Sequence, residues 1–99
     1  MKSEDIFQTI NRHQGELSDL GVHRIGLFGS AVRGELKSDS DLDFLVEFRR
    51  GKKNYDRFFE LAELLERLFG RKVDLLTVES LHPSLRQRIF QEARFETIH

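Results

Sequence analysis

The sequence contains no cysteine, which excludes disulfide bonds, thiol catalysis and cysteine-based zinc sites. It has no apolar run approaching the roughly 20 residues of a membrane helix, and its amino terminus is too charged for a secretory signal. With 16 basic and 17 acidic residues the net charge is −1, so there is no global positive field to capture nucleic acid. We therefore expect a cytoplasmic protein that contacts no membrane and binds no DNA directly.

The composition is that of a globular protein, with 38% hydrophobic and 33% charged residues. A length of 99 residues fits one domain, which we assign to residues 1–99. A domain of this size has a thin core. Any large substrate should therefore be held partly by another molecule.

The predicted elements follow the order helix, strand, loop, strand, helix, strand and helix, which indicates an α/β domain. Apolar residues at helical spacing between Ile6 and Leu20 predict one first helix. The strands are predicted at 24–28, 42–48 and 73–78, and the second is apolar enough to be covered on both faces. Pro83 fits the first turn of the last helix, which should bury residues 85, 89 and 93.

The connections between the strands predict how their ends meet. A helix joins the second and third strands, so these two are parallel if they are neighbours. A loop without a long helix joins the first and second strands, which favours an antiparallel pair. The end of the first strand would then lie beside the starts of the second and third.

Three groups of residues that could bind a ligand or take part in catalysis lie at those three strand ends. Gly29 and Ser30 follow the first strand, where glycine permits a tight turn and close approach of a ligand. Asp41 and Asp43 begin the second strand, and alternate residues of a strand share a face, so they could offer Mg²⁺ a pair of oxygen ligands. Asp74 interrupts the apolar third strand, where burial is costly for an unpaired carboxylate.

Two competing motifs fail at essential positions. The three alternating aspartates from Asp39 resemble the start of a calcium-binding loop, but Phe44 and Arg50 occupy its glycine and glutamate positions. The spacing of Gly29 and Gly34 matches a Walker A loop, but Glu35 replaces the lysine and would repel phosphate.

The retained pattern resembles a known family. Gly29-Ser30, then ten residues, then Asp41-x-Asp43 is similar to the signature of the DNA polymerase β-like nucleotidyltransferase superfamily. Residues 26–48 together with Asp74 look like the minimal nucleotidyltransferases, small proteins usually encoded beside a HEPN-domain RNase. This resemblance implies the small nucleotidyltransferase fold, with a mixed three-to-four-stranded sheet flanked by helices.

The resemblance also implies a catalytic site that uses ATP and Mg²⁺, with two ions. Asp41 and Asp43 would hold the metal, and Asp74 would bind a second ion or accept the proton of the attacking hydroxyl. Gly29 and Ser30 would cradle the phosphates. As weaker candidates, Arg33 could reach a phosphate or a partner, and Ser40 could orient the loop before Asp41.

The family further implies a partner, because its members often act as antitoxins that attach AMP to a tyrosine of a HEPN toxin. We expect a hetero-oligomer of this kind, since the chain leaves no room for an acceptor-holding domain. Two alternatives stay open, a non-catalytic antitoxin that acts by binding and an enzyme that modifies a small molecule. Phe90, Phe95 and Ile98 could contact the partner, or the two phenylalanines could simply pack the last helix. The basic turn at 49–53 should lie far from the carboxylates.

Overall fold

The computed structural model describes residues 1–99 as four helices and four strands. The helices are α1 (Ser3–Arg12), α2 (Gln14–Asp19), α3 (Tyr55–Phe69) and α4 (Pro83–Glu92). The strands are β1 (Val22–Phe28), β2 (Leu42–Phe48), β3 (Val73–Thr77) and β4 (Arg94–Thr97). Short 3₁₀ turns, Gly29–Ala31 and Val78–Ser80, follow β1 and β3. None of the helices combines the length and apolar character needed to span a membrane.

The four strands form one mixed sheet in the order β3-β2-β1-β4. The β2 and β3 strands are parallel, and β1 is antiparallel to both of its neighbours. This confirms the predicted α/β class and both predicted pairings. β4 is absent from the predicted element order because it is a four-residue edge strand that follows α4 with no glycine or proline between them.

The two faces of the sheet are covered unequally. The α1, α2 and α3 helices pack on one face over the main core, which includes Phe44 and Val46 of β2. On the other face Leu45 is buried under α4 with Val78 and Leu81, so β2 is covered on both sides there, as expected. The same face stays open along β3, where Leu76 is 38% exposed.

Residues at its two ends explain where α3 begins and ends. Asn54 caps α3 by accepting a hydrogen bond from the Arg57 amide at 2.8 Å, and Gly70 ends it in the left-handed conformation. The single first helix was a wrong prediction: His13 adopts φ −115° and ψ 25°, which separates α1 from α2. The apolar spacing continues through this break, so periodicity alone did not reveal it.

α4 begins at Pro83, as predicted, but it buries less than expected. Leu85 is 48% exposed, and Ile89 and Ala93 are only partly buried. The helix contacts the sheet mainly through its carboxyl-terminal half. Its first turn therefore stands in solvent.

Phe95 of β4 lies flat against β1 at a position that only glycine leaves free. A Cβ atom on Gly26 would lie 2.6 Å from the Phe95 ring. The ring stacks on Phe90 with centroids 5.4 Å apart, and the Arg24 guanidinium lies 4.5 Å from the Phe95 centroid. These contacts fix the end of α4 and the start of β4 to the sheet, and we call them the carboxyl-terminal anchor.

A glycine-to-alanine pair tests this anchor. Gly26→Ala should lower the free energy of unfolding by about 1–2 kcal/mol, because the added methyl forces Phe95 aside. Gly15→Ala is the matched control. A Cβ there meets no atom within 4 Å, and alanine favours α2 by about 0.5–1 kcal/mol. Chemical denaturation of both variants would measure this, and equal effects would contradict the anchor.

Candidate active site

The strand register brings the three predicted features to one edge of the molecule. Phe28 of β1 pairs with Asp43 of β2, and Asp43 pairs with Asp74 of β3. Gly29 follows Phe28 directly, and Asp41 stands two residues before Asp43. The predicted convergence of the three strand ends is therefore confirmed. The row lies on the sheet face that α4 covers only in part.

Gly29 makes the close packing of this row feasible. Its φ is +76°, in the region that favours glycine. A Cβ atom there would overlap Oδ2 of Asp43. The Asp43 carboxylate thus rests against the bare backbone of the turn, and no other residue could occupy position 29 without displacing it.

The three carboxylates form a centre of negative charge, and the charge of Arg33 offsets part of it at Asp43. None of them takes part in an ion pair. Partial burial raises the pKa of Asp43, and the charges of Asp74 and Asp41 raise it further. Asp74 is exposed, because the open face along β3 leaves its side chain in water, so the cost of burying an unpaired carboxylate does not arise there.

This donor set fits a hard divalent cation. Carboxylate oxygens are the ligands that Mg²⁺ prefers, and a cation would relieve the repulsion that raises the pKa of Asp43. No three acidic or histidine side chains of the chain already stand grouped for a metal. The aspartate side chains would therefore turn toward an ion as it binds.

The loop that leads to Asp41 is fixed by two polar side chains. Ser40 Oγ accepts a hydrogen bond from the Lys37 amide at 3.0 Å. Arg71, just before β3, donates from Nη1 to the carbonyl oxygens of Lys37 at 2.7 Å and of Ser40 at 3.0 Å. Ser40 thus helps to fix the loop before Asp41. Sequence reasoning missed Arg71, because its partners lie more than 30 residues away.

Arg33 lies at the site but is already paired. It forms ion pairs with Glu35 and, through Nη1 at 2.7 Å, with Glu92 of α4. The hydrogen bond from Arg33 to Glu35, together with the charges of both glutamates, raises the pKa of Arg33. Oε1 of Glu92 also accepts a hydrogen bond from the Gly29 amide at 3.0 Å. Sequence reasoning missed Glu92, which stands 63 residues from Gly29 with no motif to mark it.

The expected partner contacts near the carboxyl terminus belong to the fold. Ile98 is 2% exposed and packs in the main core. Phe90 and Phe95 stack on each other, which is the packing alternative. The basic turn follows the end of β2, opposite Asp41, as predicted, and Arg49 there donates to Ser18 and to the carbonyl oxygen of Ile98.

Comparison with known proteins identifies similar chains. Residues 10–95 match the family described as nucleotidyltransferase domain. The protein adenylyltransferase MntA of Thermococcus cleftensis is 42% identical over 90 residues, which cover 90% of each chain. A solved structure of a minimal nucleotidyltransferase superposes with a TM-score of 0.81 at 34% identity and covers 95% of each chain.

Two toxin–antitoxin complexes contain chains with the same fold. One was solved with AMP-PNP, and its matching chain gives a TM-score of 0.69 at 24% identity, covering 96% of this chain and 72% of that one. The other holds a tri-AMPylated HEPN toxin of Shewanella oneidensis with an MNT antitoxin. Its TM-score is 0.56 at 21% identity, with 86% of this chain and 69% of that one covered.

Charge repulsion at the site predicts that the ionised side chain of Asp43 lowers the stability of the folded state. Because the folded state raises the pKa of Asp43, ionised Asp43 opposes folding, and stability falls as pH rises from its unfolded to its folded pKa. Asp43→Asn should therefore raise Tm at neutral pH in EDTA, and this gain should fade at acid pH. Thermal unfolding with and without Mg²⁺ would measure it.

Asp39→Asn is the matched control for this measurement. Asp39 is exposed in the loop and is not among the groups that raise the pKa of Asp43. Its Tm should follow that of the parent protein, and Mg²⁺ should stabilise both more than it stabilises Asp43→Asn. A lower Tm for Asp43→Asn in EDTA at neutral pH would refute the repulsion.

Proposed function

Since the chain belongs to the nucleotidyltransferase domain family, we propose that it transfers AMP from ATP to a tyrosine hydroxyl of a HEPN-domain toxin. It would act in the cytoplasm as the antitoxin of that toxin, with residues 1–99 as one minimal nucleotidyltransferase domain. One observation carries the proposal: the turn at Gly29 and three aspartates meet at one end of the sheet. The similar protein from Thermococcus cleftensis carries the name protein adenylyltransferase, which supports the reaction type.

In this proposal the turn after β1 binds the triphosphate. Gly29 and Ser30 would cradle phosphate oxygens, because Gly29 lets a ligand approach its backbone closely. Arg33 would add a guanidinium that is always charged. Ser40 would keep the loop before Asp41 in place through its hydrogen bond with the Lys37 amide.

The carboxylates would hold Mg²⁺ next to that triphosphate. Asp41 and Asp43 are the proposed ligands, and Asp74 would either help to hold a second ion or accept a proton. When bound, Mg²⁺ would stabilise the negative charge on the entering and leaving oxygens. The AMP-PNP in one of the structurally similar complexes supports a nucleotide site in this fold.

The transfer itself is an in-line displacement at phosphorus. The tyrosine oxygen forms a bond to the α-phosphorus, and the bond between that phosphorus and the oxygen bridging to the β-phosphate breaks. Pyrophosphate leaves with the electron pair of the broken bond. The phenolic proton passes to Asp74 or to water, and the residues of the turn contribute by orienting the leaving group.

The acceptor would reach the site from the open face along β3. Asp74 is exposed there, and Leu76 next to it offers an apolar contact. A toxin bound on this side could bring its tyrosine to the carboxylates without crossing α4. The AMPylated HEPN toxin held by a structurally similar antitoxin supports a partner of this class.

Intact-mass spectrometry of the neighbouring HEPN-domain protein tests the proposal. Incubation with this chain, ATP and Mg²⁺ should add one or more AMP units to the toxin. The variant with Asp41→Asn and Asp43→Asn should add none, since it lacks the metal-holding carboxylates. Peptide mapping of the product would identify the modified side chain.

One control variant and two contrary outcomes complete this test. Asp39→Asn should transfer AMP as the parent protein does, because Asp39 is an exposed loop residue. No mass gain together with a stable complex would favour neutralisation by binding alone. No complex at all, with transfer to a small hydroxyl compound, would favour the small-molecule enzyme.

A further inference from the structure

Glu92 occupies the donors that a triphosphate would need. Its Oε1 accepts hydrogen bonds from two groups at once, the Gly29 amide at 3.0 Å and Arg33 Nη1 at 2.7 Å. Both residues lie near Asp43, and both are assigned above to phosphate binding. A carboxylate oxygen in this position has the charge and the contacts of a phosphate oxygen.

The backbone of Glu92 is held in place by packed residues before and after it. Phe90 stands two residues before it and Phe95 three residues after it, and their rings stack over Gly26 in the carboxyl-terminal anchor. Glu92 is also the last residue of α4. Its backbone therefore stays beside Gly29 whatever its side chain does.

The side chain itself is free to leave. It is 32% exposed, and its only recorded polar contacts are those with Gly29 and Arg33. Rotation about its side-chain torsions would carry the carboxylate into solvent without disturbing the anchor. Arg33 would keep its ion pair with Glu35.

A carboxylate at this place is electrostatically unfavourable unless its donors hold it. Three aspartates lie nearby, and the negative charge of Glu92 adds to theirs at Asp43. The two N–H donors must offset this repulsion. A triphosphate that arrives with Mg²⁺ brings the cations that Glu92 lacks, so it should compete well for the same donors.

We propose that Glu92 is a further residue of the nucleotide site, which holds the phosphate-binding donors in the free protein and is displaced when nucleotide binds. The inference rests on the proposed function for the roles of Gly29 and Arg33. Its consequence is a lowered apparent affinity, because nucleotide binds only to the fraction of molecules in which Glu92 has moved away. Glu92 would thereby set how much nucleotide is needed to fill the site.

Titration calorimetry with phosphate probes tests this displacement. Glu92→Ala should bind inorganic tripolyphosphate and a non-hydrolysable ATP analogue, each with Mg²⁺, about tenfold more tightly than the parent protein. Glu92→Gln should gain less, because its amide oxygen can still accept from Gly29. Affinity for adenosine should stay unchanged, since Glu92 contacts no donor proposed for the nucleoside.

The matched control removes a carboxylate elsewhere. Glu63→Ala lies on an exposed position of α3, against the other face of the sheet, and should bind both probes as the parent protein does. Glu92→Gln separates the two possible causes of a gain, because it removes the negative charge but keeps an oxygen that can accept from Gly29 and Arg33. A smaller gain for Glu92→Gln than for Glu92→Ala supports the displacement, and an equal gain overturns it, because general repulsion would then account for the effect.

The remaining outcomes are also decisive. If the parent protein binds the ATP analogue and Glu92→Ala binds it equally or less well, the inference fails and the proposed function stands. If neither protein binds the ATP analogue, the proposed function fails. The inference then fails as well, because it rests on that function. Circular dichroism checks that each variant is folded, and Glu92→Gln decides the question if Glu92→Ala is not.

Discussion

The register between β1, β2 and β3 is the constraint on which the rest of this molecule depends. It places Phe28, Asp43 and Asp74 in one row, so the turn at Gly29 faces the carboxylates of two other strands. A shift of one residue in either pairing would send Asp43 toward the main core and Phe44 toward solvent. The apolar residues that hold the sheet in register are therefore also what positions the polar ones.

This arrangement opposes the stability of the fold that supports it. Three carboxylates without ion pairs repel one another, and partial burial together with this repulsion raises the pKa of Asp43. Backbone hydrogen bonds along the strands and the buried side chains beneath them offset the cost. The oxygen donors that the site presents are those that a hard divalent cation prefers.

The strands that carry the site, and how they pair, could be predicted from the sequence. Apolar periodicity predicted β2 at its observed bounds, and the helix between β2 and β3 predicted their parallel pairing. Together with the antiparallel pairing that the loop between β1 and β2 predicted, these features placed Gly29, Asp43 and Asp74 side by side. Each depended on residues close together in the chain or on a rule about connections.

The parts that depend on distant contacts could not be predicted. Arg71 and Glu92 reach the site through partners more than 30 residues away, and a charged side chain in an exposed segment carries no mark of such a contact. The exposure of Asp74 depended on how far α4 extends over the sheet. β4 was missed because its four residues do not alternate between buried and exposed: Phe95 and Glu96 are partly buried, and Arg94 and Thr97 are exposed.

The extent to which α4 covers its face of the sheet decides which parts of the site are buried and which are accessible. If α4 covered the whole face, Asp74 would be buried and out of reach of solvent. If α4 were absent, Leu45 would lie exposed and no residue would reach the donors beside Gly29. The observed helix lies between these extremes: its carboxyl-terminal half seals the apolar part of the face and delivers Glu92 to the turn. The open part of the face leaves the carboxylates accessible. One short helix therefore buries the apolar residues of this face and leaves its acidic residues in contact with solvent.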